Sequence, residues 1–360
     1  MYSKENFMKH IIEDFNPLSG KNDITTAIRE VIKYYGVNLS EEMLFGLGAG
    51  LHFYYFNMRS LPHPVIGGRM LPRKFEENLT QHSHINIQIK TTEDEKSAWN
   101  LLKSKLILNH PVIVYVEMSE LDYLHMPPDQ RFGSHCVTVF GFDEEKNVAY
   151  VSDRDQVGFP ITVSPQEQPQ SFHLIPIPEL SRARISKLEP FPPDNIWLEI
   201  EWNYYHFLTR FQIFSAIKEN MIQFLNAPHT NEGLRAILLF ARSMDKWKNW
   251  SAAKLNRAAL NAFIMIDQIG GTGGGAFRKM YGHFLLEASH QAAAPALGAV
   301  GEQYLFLGEQ WDEVGHLFFN LYQGEQPDIL EDIKNKLLQI AVVEKGLANQ
   351  LLSVINAISE

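Results

Sequence analysis

A chain of 360 residues with 45% hydrophobic and 12% aromatic content is long enough for two domains and has the composition of a folded rather than a disordered protein. A formal net charge of −10 and a pI near 5.8 argue against a broad electrostatic footprint for nucleic acid. The single cysteine, Cys136, excludes an intramolecular disulfide framework, the start MYSKENFMKH lacks the apolar core of a signal peptide, and no apolar run reaches the roughly 20 residues that span a bilayer; a cytoplasmic protein without a membrane partner is expected.

Along the chain, Ile24, Ala27, Ile28, Val31 and Ile32 recur at helical spacing and Gly36 follows as a stop, which predicts a helix over 24–35. Residues 85–90 alternate apolar and polar like a half-buried strand, 95–108 return to the helical period, and PVIVYVEM at 111–118 reads as a buried strand. HCVTVFG at 135–141 and NVAYVSD at 147–153 flank FDEEK, a hairpin turn by composition. The first half is thus mixed α and β, with a domain expected over 1–155.

Residues 156–200 include the Pro-, Gln- and Ser-rich stretch FPITVSPQEQPQS and are expected to form a linker or surface excursion. From 201 to 360 the helical period dominates and strands are not evident, predicting an α-helical domain. Its last segment carries Ile333, Leu337, Ile340, Leu347, Leu351, Val354 and Ile358 on one stripe, interrupted by Glu344. That is the spacing of a helix packed into its own domain, with a partner helix or a homo-oligomer contact as the alternative.

The stretch GSHCVTVFGFDEEKNVAYVSDRD, residues 133–155, carries the most specific chemical signal. In a hairpin turning near 143–146, His135 at the start of one strand and Asp153 at the end of the next lie opposite or diagonal, within reach of each other. A carboxylate bound to one imidazole nitrogen fixes the tautomer and stabilises the imidazolium, as a general base requires. A surface hairpin whose His and Asp face water has the same spacing.

A nucleophile would turn the pair into a triad, and GKNDITTAIREVIKYYG at 20–36 has the right location. Papain-like enzymes hold their nucleophile at a helix N-terminus, where the dipole and backbone N–H groups stabilise a thiolate and a developing oxyanion. Asn22 and Asp23 supply none. Either is instead a favourable N-cap for a helix beginning ITTA, a role that stabilises by about 1 kcal/mol.

Three stretches together resemble the butirosin-biosynthesis protein H family: TTAIREVIKYYGVNLSEEMLFGLGAGLHFYYF at 25–56, the 135–155 hairpin, and GGTGGGAFRKMYGHFLLEA at 270–288. The resemblance implies a papain-like α+β fold in the N-terminal domain, followed by an all-α domain of unknown function. It also implies acyl transfer from a carrier-protein thioester to an amine in specialised metabolism, through a Cys-His-Asp triad. His135 matches the family's histidine and Asp153 its acidic partner. The family's His-Cys pair falls on Asn22 and Asp23, so the nucleophile does not carry over. An acyl or peptidyl carrier protein and a small-molecule amine are the partners implied, and no cofactor is.

Cys136 neighbours His135 in a strand and points to the opposite face, so it reads as packing. Gly46, Gly48 and Gly50, like Gly270 to Gly275, lack the spacing and the following Lys-Ser or Lys-Thr of phosphate loops; they permit tight turns or close packing, and Gly48 and Gly50 an approach by an extended substrate beside Asn22. His63, His82 and His84 lack metal-site spacing and read as surface residues, so no metal is expected. KWKNW at 246–250, with Lys254 and Arg257, reads as a solvated helix face, or as a basic and aromatic surface for an acidic carrier.

Three functions fit these residues. In the first, an acyltransferase works without cysteine: His135, oriented by Asp153, deprotonates an amine that attacks the thioester directly, while Asp23 orients it. In the second, a catalytically inactive relative keeps the cleft and acts as a binding or scaffold partner. The third is a hydrolase or peptidase.

Overall fold

The structure, a computed structural model, describes residues 7–126, 133–154, 172–202, 208–324 and 328–359. The chain opens with β1 (Lys9–Ile11), α1 (Asp23–Tyr34), α2 (Glu41–Leu47), β2 (Leu51–Phe56), β3 (Val65–Arg69), α3 (Lys74–His82), β4 (Ile85–Lys90) and α4 (Glu95–Ile107). It continues through β5 (Val112–Val116), β6 (His135–Asp143), β7 (Val148–Ser152), β8 (His173–Pro176), α5 (Ile177–Ile185) and β9 (Trp197–Trp202). Helices complete it: α6 (Arg210–Leu225), α7 (Gly233–Trp247), α8 (Ala252–Ile266), α9 (Arg278–Gln291), α10 (Pro295–Tyr322) and α11 (Ile329–Ser359).

These elements form two compact units, one of residues 1–41 and 86–202, the other of residues 42–85 and 203–360. The protein is mixed α+β, a sheet unit followed by a mainly helical one. In the first unit the strand order is β4-β9-β5-β6-β7-β8, and β1 pairs with β6 as well. Strand β6 is buried along its whole length, as HCVTVFGFD suits a strand covered on both faces. Its first half pairs with β5, with Val116 opposite His135, and its last residues pair with β1. Helix α1 lays Ile24, Ala27, Ile28, Val31 and Ile32 into the core, as its period requires, and packs on β6.

The 156–200 stretch differs from a linker. Its first part, including FPITVSPQEQPQS, lies outside the described residues, but β8, α5 and β9 are integral to the first unit, with β8 on β7 and β9 on β5. In β8, His173 and Ile175 are buried while Leu174 is exposed, a period of two that a four-residue strand shows only weakly in sequence.

The second unit is not purely helical, since it holds the β2–β3 hairpin, whose LHFYYF strand is buried except at its last residue. Helix α11 packs the Ile333, Leu337, Ile340, Leu347 and Leu351 stripe into this unit, against α7, α10 and α6. Glu344, the polar interruption, is fully buried and accepts from Arg278 Nε at 2.7 Å and from Trp311 Nε1 at 3.0 Å. The other arm of Arg278 donates to the carbonyls of His52, Gly68 and Ala276, joining the hairpin to α9 and α11. No helix among the described residues is long and apolar enough to cross a membrane.

Candidate functional site

The site forms where the start of α1 meets the start of β6, within the first unit. Asn22 occupies the N-cap position with extended backbone (φ −125°, ψ 145°), yet its side chain does not cap the helix. Its amide donates to Asp23 Oδ1 at 2.7 Å. Glu41 instead anchors the loop that enters the helix: it accepts from the backbone N–H of Lys21 (2.9 Å) and Asn22 (3.3 Å) and from the hydroxyls of Thr25 (3.0 Å) and Thr26 (2.6 Å). A Cβ on Gly20 would fall 1.9 Å from Thr26 Oγ1 and 2.8 Å from Glu41, so only glycine lets the loop lie this close.

Asp23 is therefore not the cap. As the first helical residue it projects at β6, where Oδ2 accepts the backbone N–H of Cys136 at 3.0 Å and lies 3.6 Å from His135 Nδ1. The opposite edge of the imidazole meets Asp153: Nε2 is 2.8 Å from Oδ2 and 3.0 Å from Oδ1. The β6–β7 register pairs Thr138 with Ser152, which makes His135 and Asp153 diagonal neighbours. Tyr123 donates its hydroxyl to Asp153 Oδ2 at 2.6 Å, and its ring stacks on His173 with centroids 4.0 Å apart.

Electrostatics follow from this crowding. Burial works against a charged His135, but the charge and hydrogen bond of Asp153 and the charge of Asp23 more than offset it, so the imidazole pKa lies above its ordinary value. Burial likewise opposes charge on Asp153, yet His135 and the Tyr123 hydroxyl hold its carboxyl below the usual range. Asp153 is sealed, with its side chain fully buried, whereas that of Asp23 keeps 10% of its surface exposed. Beneath them Glu30, which accepts from Ser152 Oγ (2.7 Å) and the Leu18 N–H (3.1 Å), is pushed up to about 7, chiefly by burial.

The structure brings His135, Asp153, Asp23 and Asn22 to one place; hairpin spacing pointed to the first two, and the family resemblance set Asp23 and Asn22 beside them. Sequence reasoning missed Glu41 at the start of α2, Tyr123 in a short turn after β5, and Glu30 about two turns along α1 from Asp23, none of which carries a local signature. Cys136 is buried, and its contribution is a backbone N–H. Gly48 and Gly50 are close-packing glycines of the second unit: a Cβ on Gly48 would sit 2.2 Å from the Phe75 ring, and one on Gly50 would sit 2.6 Å from Phe45. Two of the histidines expected at the surface are buried. His63 Nδ1 bonds to the Pro64 carbonyl, and His82 lies between the Leu47 carbonyl (3.1 Å) and Glu219 (2.9 Å), so imidazoles with partners on hand could leave water. His84 bonds to Gln212. Trp247 of the KWKNW stretch is likewise buried, stacked on Trp250. Among the described residues no group of three His, Cys, Asp or Glu is placed to hold a metal ion.

Comparison with known families decides kinship. The model described as butirosin biosynthesis protein H, N-terminal, matches residues 24–154, and a domain of unknown function (DUF4872) matches residues 178–351. The chain belongs to the butirosin-biosynthesis protein H-like family. The first match includes His135 and Asp153 and begins one residue after Asp23. No curated protein matches the chain.

Proposed function

We propose that this family member handles an acyl group in specialised metabolism, passing it from a carrier-protein thioester to an amine on a papain-like frame, without a covalent enzyme intermediate. A family named for a butirosin-biosynthesis protein supports the metabolic setting. Support for the frame comes from a helix N-terminus facing a strand-borne histidine, with the histidine's acidic partner at the end of the next strand.

The observation that carries the chemistry is the orientation of the imidazole. With Nε2 bound to Asp153, Nδ1 faces Asp23 Oδ2 across 3.6 Å. A substrate amine at that edge donates one N–H to Asp23 and another to His135 Nδ1. As its lone pair attacks the thioester carbonyl, the C–N bond forms and His135 takes the proton. The C–S bond then breaks, and the imidazolium, stabilised by Asp153, returns the proton to the departing sulfur. A thioester is already activated, so no enzyme nucleophile is needed. Asp23 carries a cost in this scheme: a carboxylate at the helix start opposes the oxyanion that develops there.

The test is aminolysis of an acyl N-acetylcysteamine thioester by a panel of primary amines, followed by amide formation and intact mass. Amide above the uncatalysed rate, lost in His135→Ala and without an acylated protein, is the expected result. Amide formation equal to the uncatalysed rate, or unchanged in His135→Ala, overturns the proposal. Release of the acyl group to water alone would make the protein a hydrolase.

One observation favours a second reading, a non-catalytic binding partner: both Asp23 oxygens already have protein partners in Asn22 and Cys136. That reading predicts saturable binding of an acylated carrier protein without turnover.

A further inference from the structure

Within the second unit, a cavity of about 330 Å³ lies between the end of β2 and one face of α7. That volume is at the small end of ligand pockets, which run to roughly 300–1,000 Å³. Arg242 and Lys246, one turn apart on α7, line it together with Ser243, Tyr55 and Asn57, while Leu239 and Met58 add apolar wall. Both cations are exposed, and neither has an ion-pair or hydrogen-bond partner among the described residues. The nearest acid on their own helix, Asp245, is taken by Lys334 at 2.9 Å and Lys248 at 4.0 Å.

A second observation points to a ligand. Tyr55 is only 4% exposed, and its hydroxyl lies beside Ser243, Trp247 and Asn57 without an aligned hydrogen bond to any of them. Ser243 spends its own proton on the Phe240 carbonyl at 2.7 Å. The indole N–H of Trp247, 1% exposed, lies against the Tyr55 hydroxyl without an aligned bond, outside the cavity lining. A buried donor without an aligned acceptor costs about 1–3 kcal/mol, and the Tyr55 hydroxyl belongs to a cavity lining that also carries two unpaired cations. Burial pushes the Tyr55 phenol up, so it stays a donor throughout the neutral range. An anionic oxygen in the cavity would meet both cations and accept from the Tyr55 hydroxyl.

We infer that this cavity binds a small molecule carrying a carboxylate or phosphate on an apolar body, with the oxyanion at Arg242, Lys246 and the Tyr55 hydroxyl and the apolar part against Leu239 and Met58. The site is independent of the His135 chemistry, and its test does not rely on turnover.

Calorimetric titration of the full chain with hexanoate, hexyl phosphate and hexanol, at low and high salt, decides it. At least one anion should bind saturably, more weakly at high salt, and hexanol should not bind; whichever anion is tighter identifies the headgroup. Arg242→Gln with Lys246→Gln, both at exposed positions, should weaken binding by roughly tenfold or more, because each removes a charge-assisted bond. Tyr55→Phe should weaken it several-fold, and circular dichroism checks that each variant is folded. The inference is overturned if neither anion saturates, if hexanol binds equally, or if the double variant binds like wild type. An acidic carrier protein that loses binding in the double variant, while both small anions fail, would likewise overturn it by assigning the cations to a protein surface.

Discussion

The carboxylate of Asp23 and the backbone N–H of Cys136 are joined by a 3.0 Å hydrogen bond that ties the first turn of α1 to the start of β6. Cys136 is buried, so removing the acceptor strands its N–H away from water. Asp23→Ala should therefore destabilise the protein by about 1–3 kcal/mol, and Asp23→Asn, which keeps an acceptor oxygen, by distinctly less. Urea denaturation monitored by circular dichroism measures both. Equal stability of wild type and Asp23→Ala would mean that the bond contributes nothing.

Glu41 holds the same loop from the other side. Two backbone N–H groups and two hydroxyls converge on its carboxylate, and three of the four donors belong to buried residues. Glu41→Ala should cost about 3 kcal/mol or more, a larger loss than removal of a single N-cap, with Glu41→Gln between the two. The same denaturation series reads this ordering.

Glu30 gives the protein a pH signature. Its folded pKa of about 7 stands above the ordinary 4.5, so the native state holds the proton more tightly than the unfolded chain. Its stabilising contribution is complete at low pH, falls as pH rises from about 4.5 to about 7, and is flat beyond. In Glu30→Gln that slope disappears, and the variant should gain about 3 kcal/mol relative to wild type between pH 4 and pH 8. Parallel stability curves across this range would contradict the burial of an ionisable Glu30.

How much of this was legible beforehand depended on how local the cause was. The helix at 24–35 and the His135–Asp153 diagonal are set by periods of 3.6 and 2 over short spans, and both stand in the sequence. Glu41 could not be read: its partners lie 15–20 residues away, and only the folded loop brings them together. Asp23 was legible as a helix-start residue beside the histidine but not as the partner of the Cys136 N–H, since one position separates an N-cap from a residue whose side chain reaches the neighbouring strand. Residues 42–85 belong with 203–360 because LHFYYF finds its cover there, a long-range fact that composition along the chain does not carry. Proline and glutamine around 165–170 likewise masked two strands that sheet pairing, not propensity, makes.

In the second unit, Arg278 and Glu344 are both fully buried and paired at 2.7 Å. Arg278→Met should cost about 3–5 kcal/mol by leaving the Glu344 carboxylate buried and unpaired. Adding Glu344→Gln, which still accepts from Trp311, should recover much of that loss. Thermal and urea unfolding of the two variants test it, and a double variant no more stable than the single would locate the cost in lost Arg278 packing instead.

The central claim, that position 23 stands where a general base is aimed, is tested most directly with a thiol. Asp23→Cys in a Cys136→Ser background would be alkylated with iodoacetamide across pH, with and without His135→Ala. The geometry predicts a thiol that reacts well below the usual pKa of about 8.5 and loses that reactivity when His135 is removed. Ordinary titration indifferent to His135 would contradict the claim and leave Asp23 as a structural tie between α1 and β6.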